Sequence, residues 1–179
     1  MNAARAARNV LLVSVLAFAT NAAADPGIDA DARAALKKLY KVNSAAKIAA
    51  GKATAILVFP NIKKAGLMVG AQFGDGSLLD AKGKVLGHYR SMAGSYGYQA
   101  GAQSFSYALF FMNKASLAYL DKSDGWEVGV GPSIVVVDEG VGKSMTSSTL
   151  TQDIYAFIWG QSGLMAGLGI QGSKITKIK

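Results

Sequence analysis

The chain has 179 residues, 51% hydrophobic and 17% charged, with a formal net charge of +8, one histidine and no cysteine. That length bounds a single domain, or a domain with a tail. The composition excludes disulfides, a thiol nucleophile, a thiolate zinc site, a lipid-bearing N-terminal cysteine and a cluster of histidine ligands. Only two glutamates, Glu127 and Glu139, join the aspartates as acid–base candidates, and glycine is abundant at 21 residues. These features point to a folded, basic, non-enzymatic domain with no cofactor and no metal.

Arg5 and Arg8 precede a run of apolar residues from Val10 to Ala19, and Ala22, Ala23 and Ala24 follow. A positive start, a short apolar run and small residues predict an export signal over residues 1–24, cleaved after Ala24. The run is too short to cross a hydrocarbon core of about 30 Å. Residues 25–179 are then expected to form one domain. No later stretch has the length of a membrane-spanning helix, so a periplasmic or peripherally membrane-associated protein is expected.

Between Ala32 and Gly74 there is no acidic residue, whereas Arg33, Lys37, Lys38, Lys41, Lys47, Lys52, Lys63 and Lys64 all fall in that window. A one-sign region creates a field that attracts anionic partners. Asp29 or Asp31 is placed to cap a first helix. Ala32, Leu36, Leu39 and Tyr40 then recur at helical spacing, opposite a basic face carrying Arg33, Lys37 and Lys41 at i, i+4 and i+8. Asn43-Ser44 ends that helix and caps a second, Ala45 to Ala50, which closes at Gly51.

From Thr54 the period changes. Ala55 to Phe59 reads as a buried strand stopped by Pro60-Asn61. Leu67, Val69, Ala71 and Phe73 then alternate with glycine and glutamine, which places the apolar side chains on one face and leaves the other nearly bare. Repeated glycine on one strand face signals close approach of another backbone or sharp curvature. Asp75-Gly76 reads as a turn and Asp80 to Gly83 as another. Strands follow at Val85–Met92 and Ser104–Met112, with a second alternating Gly/Gln stretch at Tyr96–Gln103. Asn113 to Leu120 fits a short helix or a strand end. Further strands are predicted at Trp126–Gly131, Ile134–Val137, Tyr155–Trp159 and Leu164–Ile170, with a polar loop over Gly140–Thr151. Helices before residue 54 and strands after it argue an α+β fold. The sheet is expected to be strongly curved, mainly antiparallel and Gly-rich, barrel-like or a sandwich, with the N-terminal helices packed against it.

The site motifs are weak. Gly140-Val141-Gly142-Lys143-Ser144 has Val137 where a phosphate-binding loop needs its first glycine. Asp121 opens a sequence that places Pro132 where a calcium loop needs its final glutamate. His88 has no serine–carboxylate arrangement beside it in sequence. Tyr89, Tyr96, Tyr98 and Tyr107 are read as sheet core, although tyrosine also favours membrane interfaces.

Three separated stretches carry a resemblance. Ala53-Thr54-Ala55-Ile56-Leu57-Val58-Phe59-Pro60-Asn61-Ile62-Lys63-Lys64-Ala65-Gly66 resembles the opening signature of SYLF domains. Tyr98-Gln99-Ala100-Gly101-Ala102-Gln103 is similar to their central Gly/Gln stretch, and Gly163-Leu164-Met165-Ala166-Gly167 begins an element similar to their closing one. The resemblance implies lipid binding, because members of that family associate with phosphoinositide membranes and some bind actin. It also maps the family's basic N-terminal segment onto Arg33, Lys37, Lys38, Lys41 and Lys47, with Lys63 and Lys64 in the Lys-Lys-Ala-Gly motif. The expected partner is an anionic lipid or membrane surface met by those seven cations and Lys52. The alternative is a structural adaptor binding an acidic protein or envelope polymer. Nucleic acid is not expected, since no reading motif accompanies the charge.

Overall fold

The computed structural model describes residues 27–122, 125–137, 145–163, 170 and 172–178. The fold is α+β, with a mostly antiparallel sheet curled into a half-barrel. Helix α1 spans Ile28–Val42 and α2 spans Ser44–Ala50. Two long strands follow, β1 (Ala55–Asp80) and β2 (Val85–Phe111), then a short α3 (Lys114–Leu117) running into a 3₁₀ turn at Ala118–Asp121. The remaining strands are β3 (Trp126–Glu127), β4 (Ile134–Val137), β5 (Ile154–Gly163) and β6 (Lys174–Ile178).

Strands β1 and β2 form one antiparallel ribbon that builds both walls of the half-barrel. The far half of β2 pairs with β5, and its near half pairs with β6, which carries β3. Strand β4 joins β5 in parallel, the one parallel pairing among the described strands. The ribbon bends at register shifts between Phe59 and Ile62 and between Leu67 and Val69, since an extra residue on one strand increases local twist.

Strand alternation then produces two cores. Leu57, Phe59, Tyr107, Leu109 and Ile154 face inward with Leu120 and Trp126. Ile56, Val58, Phe110 and Phe157 face outward and are covered by Ala32, Ala35 and Leu39 of α1 and by the alanines of α2. Alanine on the helix side allows the helices to lie close to the sheet, while the aromatic rings fill the interior. Phe59 stacks on Tyr107 at 4.6 Å.

Four expectations need correction. Pro60-Asn61 does not stop the strand: β1 continues through it. Pro60 sits in the register shift, and among the described strands β1 pairs only with β2, so the missing N–H costs no ladder bond among them. Asp75-Gly76 is not a turn but lies mid-strand, where Arg90 across the ladder donates two hydrogen bonds to Asp75 at 2.6 and 2.7 Å. Val85–Met92 and Ser104–Met112 belong to a single strand. The segment from Trp126 keeps only two strand residues, because Gly129 and Gly131 take positive φ values of 104° and 97°. Strand β6 was not anticipated, since its lysines dilute the apolar alternation. The predicted strand over Leu164–Ile170 falls almost wholly outside the described residues, and residues 140–144 of the predicted polar loop lie outside them too.

The glycine expectation was met. A Cβ added at Gly74 would lie 2.6 Å from the Asn61 carbonyl oxygen, and one at Gly76 would lie 2.5 Å from that of Val58. Strand β1 thus coils back until its second half touches its first, backbone against backbone. The turn at Asp80 to Gly83 is also present. Asp80 accepts from the N–H groups of Lys82 and Lys84, and Gly83 takes φ +79°.

Candidate functional site

Helix α1 decides how its cations are presented. Ile28, Ala32, Ala35 and Leu39 are buried against the sheet, and Leu36 and Tyr40 are half-buried. Burial pushes the Tyr40 hydroxyl up to about 12. At 100° per residue, Arg33, Lys37 and Lys41 fall on the opposite arc, with Lys38 beside them, and all four are exposed. The apolar stripe is therefore committed to the core, and the basic arc meets the surroundings. Lys47 on α2 and Lys52 just beyond it are exposed as well.

The acidic groups of α1 are at its other end. Asp29 and Asp31 lie in the first turn, where a negative charge complements the helix dipole. Neither is the cap: Gly27 holds that position without a side-chain bond. Asn43 does cap α2 as expected, accepting from the Ala46 N–H at 3.2 Å. Among the described residues, no carboxylate is within ion-pair distance of Lys37, Lys38, Lys41, Lys47 or Lys63. Arg33 donates to the Gly83 carbonyl at 2.7 Å, which ties α1 to the β1–β2 hairpin.

Lys63 and Lys64 part company. Adjacent strand residues point to opposite faces, so Lys63 is exposed on the outer face whereas Lys64 is 8% exposed on the inner one. Lys64 thus leaves the expected outward basic surface. It lies opposite Gln103, another buried polar residue. Gln72, Ser91 and Ser173 are buried too, and Tyr107 donates to Ser91 at 2.8 Å. Burial holds the Tyr107 hydroxyl well above its ordinary pKa and pushes that of Tyr89 up to about 12. Both are sheet core; the side chains of Tyr96 and Tyr98 lie outside the described residues.

The tertiary fold brings together a trio that sequence neighbours did not suggest. Ser77 donates to Asp29 at 2.7 Å, and His88 Nε2 lies 2.8 Å from the same oxygen. A hydrolytic triad needs the serine on the histidine. Here both groups converge on the carboxylate, and Ser77 is fully buried, so the trio fastens α1 to the ribbon. The Ser77 hydrogen bond lowers the Asp29 pKa most; burial opposes it, and the His88 hydrogen bond and charge add to the lowering. No group of three or more metal-ligating side chains occurs among the described residues, and none of their helices is long and apolar enough to cross a membrane.

Sequence reasoning missed one surface. Phe73 and Met92 are cross-strand partners, and each is 54% exposed. They line a groove of about 460 Å³ with Asn61, Lys63, Gly74, Asp75 and Arg90. A second groove of about 500 Å³ adjoins it and shares Lys63 and Phe73. The alternating pattern of Ala71 and Phe73 was legible, but which face turned outward was not. No protein-family model and no curated protein matches the chain.

Proposed function

We propose that this chain is a non-enzymatic, exported module that docks peripherally on anionic lipid through the basic arc of α1. The observation that carries the proposal is the pairing of a buried apolar stripe with an exposed arc of Arg33, Lys37, Lys38 and Lys41, of which the three lysines lack a carboxylate partner among the described residues. The resemblance to SYLF domains supports the same reading. Each cation near an anionic leaflet contributes about 1 kcal/mol. Four or five together give about 4–5 kcal/mol, an affinity near millimolar, so apolar contact or several copies must add to it.

Vesicle co-sedimentation tests the proposal. Binding to phosphatidylglycerol-containing vesicles is expected at low salt, with a steep loss at high salt and little binding to phosphatidylcholine alone. Equal binding to both vesicle types overturns the reading, and capture of an acidic protein without lipid favours the adaptor role.

A further inference from the structure

Beyond the stretch that the helices cover, the described outer face of the β1–β2 ribbon reverses the usual burial. Phe73, Met92, Ala65, Ala71 and Ala102 are exposed, whereas Gln72, Ser91 and Gln103 behind them are buried. Water selects the opposite arrangement. Apolar-out, polar-in alternation along strands is what a hydrocarbon exterior selects.

Charge narrows the partner further. Asp75 and Arg90 neutralise each other in the groove, which leaves the exposed amine of Lys63 on its rim. The apolar pair also faces the same way as the helix. Ser77 and His88 both reach Asp29 of α1. Each lies four residues along its strand from Phe73 or Met92, and no register shift intervenes. Even spacing keeps them on one face, about 14 Å apart at 3.4 Å per residue. A single extended partner, anionic at its surface and apolar beneath, can meet both regions at once.

We infer that Phe73 and Met92 insert into the interfacial layer of an anionic bilayer while Lys63 meets lipid phosphate. This rests on the lipid-docking reading above and supplies the apolar contact that charge alone leaves wanting. The α1 lysines bring the domain to the surface; the ribbon holds it there.

The absence of cysteine allows single-site labelling. An environment-sensitive fluorophore is placed at Phe73→Cys, at Met92→Cys and, on β4 and the opposite sheet face, at Val136→Cys. On adding phosphatidylglycerol-containing vesicles, the labels at 73 and 92 should shift to the blue and be quenched by nitroxide-bearing acyl chains, and the label at 136 should do neither. The double variant F73S/M92S should bind those vesicles at least tenfold more weakly with an unchanged circular dichroism spectrum. If the protein sediments with anionic vesicles yet the labels at 73 and 92 stay unshifted and unquenched, insertion is overturned and charge-driven docking stands. If it does not sediment with them at all, both fall.

Discussion

Gly74 and Gly76 occupy places where any side chain would strike main chain. The neighbours are carbonyl oxygens of Asn61 and Val58, which cannot rotate away as a side chain can. Gly74→Ala and Gly76→Ala are each expected to destabilise the fold by about 1–3 kcal/mol, the usual cost of overpacking. Gly94, with nothing within 4 Å of an added Cβ, should tolerate alanine with little change. Urea unfolding of the three variants reads the contrast directly. Asp29 gives a prediction in pH. Its folded pKa lies below the ordinary aspartate value, chiefly through the Ser77 hydrogen bond. The unfolded chain therefore takes up the proton first as pH falls, and the stabilisation from Asp29 is fully present well above the unfolded pKa and lost as pH drops through the folded pKa. The urea midpoint of the wild type should fall across that range, and Asp29→Asn should flatten part of the fall.

At the scale of elements, α1 does two jobs with separate faces. Leu39, fully buried between helix and sheet, holds the helix in place. Leu39→Ala should cost about 2–5 kcal/mol, seen as a lower midpoint in urea. Lys37, Lys38 and Lys41 bear no such load. Replacing all three with glutamine should leave the midpoint within about 0.5 kcal/mol of wild type, as surface changes do. At about 1 kcal/mol per cation, it should also weaken binding to phosphatidylglycerol vesicles by about two orders of magnitude. The helices were readable because an apolar stripe at 3.6 spacing and an Asn43 cap act locally. Strand ends were harder. Pro60 and Asp75-Gly76 are ordinary stop and turn signals, yet one sits in a bulge and the other supports a coil crossing and an ion pair.

For the molecule as a whole, the arrangement of charge matters more than its sum. The acid-free window from Ala32 to Gly74 spans most of two helices and most of β1, and the fold distributes its cations unevenly. Four collect on α1, Lys63 stands beside the apolar groove, and Lys64 turns inward. That division follows from the two-residue repeat of a strand, which cannot present consecutive side chains on one face.

By itself the sequence determined the two helices between residues 28 and 50, the α+β class, the curvature of a glycine-bearing sheet and the basic arc of the first helix. Each depends on residues within a turn or two of one another, or on a repeat along one strand. Only the tertiary structure decided that β1 coils onto itself, that Ser77, Asp29 and His88 meet across some fifty residues, and that Phe73 and Met92 face out. Alternation divides a strand into two faces without saying which one the rest of the chain will cover, because that depends on distant segments competing for the same apolar surface.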